Sequence, residues 1–457
     1  MAEQKMDLMG EAGVSGLQVS GGVPSDQPLK QLKGANAVKV WAEMSRFDPV
    51  VGAGLFAIEM LARQVPWRVE PGGDSPEAEE LADFVDGCRS DMSHSWTDML
   101  GEVLTYLPFG WEWSEIVYKV RNGTVEGSPG SSSKYADGKI GWRKIVGRAQ
   151  ETRERFDMDD SGGITALVQR DPNKGLVHTI PIEKSLLFRT TTAKGNPEGR
   201  SMLERAFTSW YAKKRIQEIE GIGIERDLAG FPVAWVPPQI TATDATSADK
   251  TRYDTFEKMV TRIRRDEMAG AVMPLAYDKD GNKLYDLTLL TSGGSRQIDT
   301  DPVVKRYDQR IAATLLADFI LLGTDSGNRA LSADKSDMFE TAMNTVLDEV
   351  AEVFNRHAIP RLLTLNGYGT DECPTLAHGG VERVDLDKLS SYILRLSQAG
   401  APLFPDDQLE GHLREAARLP AIPEGERALR PPPPESKPPV IVVPAAGQEA
   451  QPEAEAA

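Results

Sequence analysis

An unbroken helical signal runs over residues 203–227, with Leu203, Ala206, Phe207, Trp210, Ile216, Ile219 and Ile222 along it. At 1.5 Å per residue such a helix is roughly 37 Å long. A second helix is read over 302–322, stopped at Gly323. Between the two lie a strand over 231–236, a strongly charged helix over 252–266, and a hairpin pairing 271–277 with 283–289 across Asp278-Lys-Asp-Gly-Asn282. A small β-α-β-β unit is therefore inserted after one long helix and before the next. A third helix is expected over 336–357, with Met338, Phe339, Ala342, Met343, Val346, Leu347, Val350 and Phe354 on one face. The polar loop before it, Gly323-Thr-Asp-Ser-Gly-Asn-Arg-Ala-Leu-Ser332, is the most function-like segment in the chain.

Upstream, 49–65 and 75–88 carry helical spacing, the second opened by Ser75 with Pro76 at the first helical position. A further helix over 96–107 stops at Pro108. Residues 111–120 alternate as a strand, 122–141 form a flexible Gly/Ser-rich excursion, and 164–170 and 175–188 read as short strands, so the fold class is α+β. A short apolar stretch over 381–384 and helices over 387–399 and 407–418 close the architectural part. The ends differ. Residues 1–37 show no sustained periodicity and read as a mobile arm. Residues 420–457 hold 10 of the 30 prolines, including Pro431-Pro-Pro-Pro434, and cannot form a core.

The 52 basic and 69 acidic side chains give a net charge of -17, which disfavours a tight electrostatic nucleic-acid binder and restricts any DNA contact to local basic patches. With two to four structural units expected from 457 residues, neither a mini-protein nor a disordered chain fits. Cys88 and Cys373 stand far apart without metal-ligand spacing, so reduced thiols are expected. The longest apolar run, 311–322, is interrupted by Asp318 and too short to span a bilayer, and no leader pattern opens the chain. A cytosol-like compartment and no membrane partner are the expectation.

Chemistry is harder to find. The nearest approach to a phosphate-binding GxxxxGK[ST] loop is Gly138-Lys139, but Ser133 replaces the first glycine and Ile140 the final hydroxyl residue. Asp157-Met-Asp-Asp-Ser-Gly162 opens like a calcium loop, yet Val168 falls where the bidentate carboxylate is needed, so a hairpin turn is expected. The five histidines are scattered, and no GxSxG elbow occurs. No cofactor, metal or catalytic residue is assigned. Local cations remain: Lys213, Lys214 and Arg215 in the long helix, Arg262, Arg264 and Arg265 in the inserted unit, and Arg329 in the polar loop. Each has a competing reading as a solvated or ion-paired face, because acids such as Glu218 and Glu220 lie close by.

The order of elements, together with Asp74-Ser-Pro-Glu-Ala-Glu-Glu-Leu-Ala-Asp-Phe84, His94-Ser-Trp-Thr-Asp98, Leu107-Pro-Phe-Gly110, Asn196-Pro-Glu-Gly-Arg-Ser201 with Trp210-Tyr211, and Val353-Phe-Asn-Arg356, resembles the portal (connector) proteins of tailed double-stranded DNA bacteriophages. The resemblance covers roughly residues 40–420. It implies a mixed α/β wing over 38–200, stem helices over 201–227 and 302–322, and a small α/β clip over 228–301. A tunnel loop over 323–333, a long helix and wing return over 334–386, a short helical crown over 387–420 and a disordered tail over 421–457 complete it. The short crown departs from portals that carry long C-terminal barrel helices.

The resemblance further implies a ring of about twelve copies at one capsid vertex of the virion, assembled in the host cytoplasm. That ring would be the channel for genome packaging and ejection, against the major capsid protein, docking the terminase large subunit and then a head-completion or adaptor protein. Double-stranded DNA would pass through without sequence readout. On this reading Thr324, Asp325, Ser326, Asn328 and Arg329 face the tunnel, Lys213, Lys214 and Arg215 are candidate stem contacts to DNA, and Arg262, Arg264 and Arg265 lie on the clip docking surface. The protein would not be an enzyme. A capsid-associated nuclease or protease, and an adaptor or scaffold acting through the proline tail, are the alternatives from other classes.

Overall fold

The computed structural model describes residues 13, 15–20, 23–24, 27–125, 129–229, 231–262, 276–277, 279–290, 299–316, 329–381, 386–399 and 407–416. The chain divides into two compact units, 1–381 and 382–457. In the second unit helices occupy Leu386–Gln398 and Asp407–Ala416, as the sequence pattern indicates.

The first unit opens with α1 (Gly34–Phe47) and α2 (Pro49–Gln64), β1 (Trp67–Glu70), α3 (Pro76–Ser90) and α4 (Trp96–Val103). Their starts are written in capping chemistry. Asp48 accepts hydrogen bonds from the Val50 and Val51 amides at 3.0 and 3.1 Å, Ser75 from Ala78 at 3.0 Å, and Ser95 from Asp98 at 3.0 Å. Pro49 and Pro76 sit where the first-turn N–H would have no partner anyway. The family-style phrases at 74–84 and 94–98 are therefore helix starts.

The sheet layer follows. β2 (Trp111–Val120) is the centre of an antiparallel three-stranded sheet, flanked by β3 (Ile140–Gly147) and, later in the chain, by β7 (Ser185–Arg189). A second three-stranded meander is formed by β4 (Arg153–Met158), β5 (Ile164–Arg170) and β6 (Val177–Pro181). Being central, β2 buries both faces: Trp111 and Trp113 pack on Phe156 and Leu167 of the meander, while Ile116 joins the main core. The main core gathers α2, α4, the β2 sheet and the long helix described below around Phe354, which is fully buried 5.1 Å from the Trp96 ring and 6.1 Å from Phe188.

Next come α5 (Phe207–Ala229), β8 (Phe231–Trp235), α6 (Ser247–Arg262), β9 (Asp286–Leu290), α7 (Asp301–Thr314), α8 (Arg329–Val353), α9 (Ile359–Leu365) and β10 (Thr375–His378), which pairs with β1. A π-helical turn at Phe354–Ala358 joins α8 to α9. Two features hold that turn open. Pro360 has no N–H to continue the ladder, and Asn355 is clasped by the edge of β10, donating to the Leu376 carbonyl at 3.0 Å and accepting from its amide at 2.7 Å.

Several expectations shift. The arm does not reach residue 37: Leu32 and Ala37 are buried with Trp41 and Met44. The excursion at 122–141, of which 126–128 lie outside the described residues, is pinned at 133–134 rather than free: Asp91 accepts from Ser133 Oγ at 2.6 Å and from the Lys134 amide at 2.8 Å, and pairs with buried Lys119 at 3.0 Å. Burial pushes the Asp91 carboxyl up, but these partners outweigh it and hold it below the ordinary value. β9 takes β8 as its partner, Phe231 opposite Leu290 and Trp235 opposite Asp286; of the expected hairpin, an antiparallel Tyr277–Lys283 bridge is described and 271–275 lie outside the described residues. The turn at Asp159 is the hairpin expected in place of a calcium loop, with Asp159 Oδ1 accepting from the Ser161 and Gly163 amides at 3.0 and 2.7 Å.

Candidate functional site

The two long helices that bracket the inserted unit lie antiparallel. Lys213 of α5 meets Asp308 of α7 at 2.7 Å, and seven residues further along α5 Glu220 accepts from Thr300, just before α7 begins. At their base an apolar cluster of Leu203, Ala206, Phe207, Trp210, Ile311 and Leu315 packs on Trp41, Met44 and Val51 of the first two helices. The inserted β8-α6-β9 unit is thus carried at the opposite end of the pair from that core.

The base is locked by two glycines. Gly110 (φ 89°) and Gly199 (φ 59°) both occupy left-handed backbone, and each faces the other's strand without room for a side chain. A Cβ on Gly110 would stand 2.6 Å from the Glu198 carbonyl oxygen, and one on Gly199 would run into the Gly110 carbonyl. Around them Ser201 Oγ donates to the Pro108 carbonyl at 2.5 Å, the Met202 amide to Leu107 at 3.0 Å, and the Arg200 amide to Thr190 Oγ1 at 2.9 Å. The phrases at 107–110 and 196–201 are therefore one interlocked joint that aims the chain into α5.

Of the cations proposed in α5, Lys213 is withdrawn from any DNA contact. Its side chain is 5% exposed and its ammonium lies between Asp48 and Asp308, so it ties α2, α5 and α7 together. Asp48 does double service as the cap of α2. Lys214 pairs with Glu43 and lies 5.5 Å from the Trp210 ring, and the Glu43 hydrogen bond raises its ammonium above the ordinary value. Arg215 is exposed, with Glu218 at 3.4 Å. Arg262 ends α6 and Arg329 begins α8; Arg264, Arg265, Thr324, Asp325, Ser326 and Asn328 lie outside the described residues.

Rotation of the two helices reveals what the sequence pattern did not. The side of α5 turned away from α7 exposes Tyr211, Ile219 and Ile222, Ile219 by 64%. The outer side of α7 exposes Lys305, Arg306 and Arg310. At 100° per residue these three span roughly 140° of the helix circumference. Among the described residues none of the three has a carboxylate within ion-pair distance, and both guanidiniums lie against Tyr307, at 5.4 and 5.8 Å from its ring. In sequence the run Lys305-Arg-Tyr-Asp-Gln-Arg310 looks partly balanced by Asp308, but that acid turns inward to Lys213. The inward spacing of Asp308, Ile311 and Leu315 was the available signal.

No group of His, Cys, Asp and Glu that could hold a metal occurs among the described residues, and no described helix is long and apolar enough to cross a membrane.

Some solved structures are distantly similar to the chain. They include the neck of an empty GTA particle computed with C6 symmetry (14% identity, TM-score 0.47, covering 84% of this chain and 94% of that one). The neck of a native GTA particle computed with C12 symmetry (12%, 0.46, 84% and 94%) and the virion of a native gene transfer agent particle (12%, 0.45, 87% and 97%) are similar to the same extent. Over residues 38–414 the sequence matches the family described as the portal protein of Mu bacteriophage, and with most of its length inside that match the chain belongs to this portal-protein family.

Proposed function

We propose that the chain assembles into a closed ring of about twelve copies that forms the DNA channel of a phage-like particle. The observation that carries this reading is the α5–α7 pair: two antiparallel helices fixed in a core at one end, carrying a separate α/β unit at the other, and presenting exposed isoleucines to the side. A cyclic assembly needs two different complementary patches on each copy, and the Tyr211, Ile219, Ile222 face supplies one. The pair is the stem, 38–200 the wing set against the major capsid protein, and 228–301 the clip that docks the terminase large subunit and later a head-completion protein. Arg262, Arg264 and Arg265 lie on that docking surface.

The segment 323–328, with Thr324, Asp325, Ser326 and Asn328, narrows the passage, and Arg329 follows at the first position of α8, where the expected loop over 323–333 gives way to helix; 387–420 form a short crown. The ring's work is geometric: it makes and breaks no bonds, and a separate ATP-driven motor moves the DNA. At -17 per chain, about twelve copies carry roughly -200, a field that keeps most of the surface from gripping a polyanion. Deleting residues 324–330 tests the loop assignment: assembly should persist while DNA packaging or retention fails, and packaging at the normal level would refute it.

A further inference from the structure

The two outer faces of the stem pair differ in kind. The α5 face carries large apolar side chains, which suits contact between copies; the α7 face exposes Lys305, Arg306, Gln309 and Arg310 and no large hydrophobic residue. Stable protein interfaces are built on apolar and aromatic anchors and are depleted in Lys. Arg and Tyr serve protein interfaces too, but here Tyr307 is half-buried beneath the two arginines and no large hydrophobic side chain is exposed beside them; such a row fits a flexible-register partner that offers charge alone, which is a phosphate backbone.

The fold also spends its local acid on the other side of the helix. Asp308 is committed to Lys213, so the outer face of α7 carries three cations against one exposed acid, Asp301 in its first turn, and stays net positive in a chain of net charge -17. Arg306 and Arg310, one turn and about 6 Å apart along the axis, both rest against Tyr307, which restrains them before any partner arrives.

We propose that the Lys305, Arg306, Arg310 face of α7 is the stem's contact to the phosphates of duplex DNA, a strip of weak, sequence-independent attachment within an otherwise acidic assembly. The identity of the polyanion rests on the channel reading above; the charge asymmetry of the helix does not. Each strip holds phosphates singly and exchangeably, so DNA is kept from slipping freely without being trapped.

The test is fluorescence anisotropy of a labelled duplex of about 30 base pairs with the full chain, between about 50 and 200 mM salt, for the natural sequence and for a Lys305→Gln, Arg306→Gln, Arg310→Gln variant. All three positions are exposed and glutamine is a good helix former, so folding should be retained. Affinity should fall at least about tenfold at 100 mM salt and the salt slope become shallower by about 2 to 3, with the assembled mass unchanged. Unchanged affinity and slope, including no measurable binding by either protein, overturns the proposal. So does a variant that loses assembled mass while each chain still binds DNA as before, because the face is then a contact between copies. Rings whose DNA affinity is unchanged defeat the strip and leave the channel reading standing; a monomer whose affinity falls as expected does the reverse.

Discussion

Lys213 shows how far a single side chain can sit from its apparent role. Its neighbours Lys214 and Arg215 make it look like part of a basic patch, yet its two acidic partners come from Asp48 and Asp308, both remote in sequence. No local pattern can reveal a pairing that exists only once three helices have met. Removing the ammonium leaves two carboxylates facing each other in a largely dry site, so Lys213→Ala should cost about 3–5 kcal/mol. Arg215→Gln, on the exposed side, should stay within about 0.5 kcal/mol. Denaturant unfolding of both variants decides it, and equal losses would contradict the tie.

Glu112 makes a second residue-scale prediction. It is a buried residue of β2, with Ser114 Oγ donating to it at 2.8 Å. Burial pushes its carboxyl well above the ordinary value; nearby Glu102 adds to this, while Ser114 and Arg148 oppose it. The folded protein therefore prefers the protonated acid. Its favourable contribution is complete below the unfolded carboxylate value of about 4.3 and fades as pH rises toward the raised folded value. Glu112→Gln, which cannot ionise, should gain on the natural protein as pH rises from acid to neutral. Parallel stability profiles for the two proteins would show that Glu112 is already charged.

At the scale of elements, the long helices were legible because their apolar spacing is sustained, although their ends moved. The helix expected over 203–227 is Phe207–Ala229, because Ser201 Oγ accepts from the Leu203 amide and holds the first residues in a turn. Of the helix expected over 302–322, Asp301–Thr314 is regular, with Leu316 in left-handed backbone just beyond it, and 317–322 lie outside the described residues. The expected 336–357 helix begins at Arg329 and passes through the π turn. Strands β3 and β10 were missed, since each draws its order from a partner: β3 from central β2, β10 from β1 and Asn355.

The Gly110–Gly199 joint gives a contrast internal to the chain. Both sites combine positive φ with backbone in the way of a Cβ, whereas Gly195 has φ 66° and nothing within 4 Å of an added Cβ. Alanine at Gly110 or Gly199 should cost about 2–4 kcal/mol, and at Gly195 only about 1. Similar midpoints for all three in thermal unfolding would mean that the joint yields.

For the whole molecule, the family-style phrases were legible as a set before their meaning was. In the structure they are helix caps at Ser75 and Ser95, the double-glycine joint, and the Asn355 clasp, all of which set angles between elements. A protein whose distinctive residues are spent on joints is built to hold a shape against its neighbours, in keeping with its portal family. What stayed hidden was the rotation of α5 and α7, since a net charge of -17 conceals both an apolar side face and a basic one.

The measurement that bears most directly on this account is the mass and symmetry of the assembled full-length chain, by native mass spectrometry with electron imaging, beside an Ile219→Asp, Ile222→Asp variant. The account predicts closed rings of about twelve copies for the natural sequence and folded but unassembled chains for the variant. A natural chain that remains a stable monomer under every assembly condition, or a variant that closes rings equally well, would contradict it.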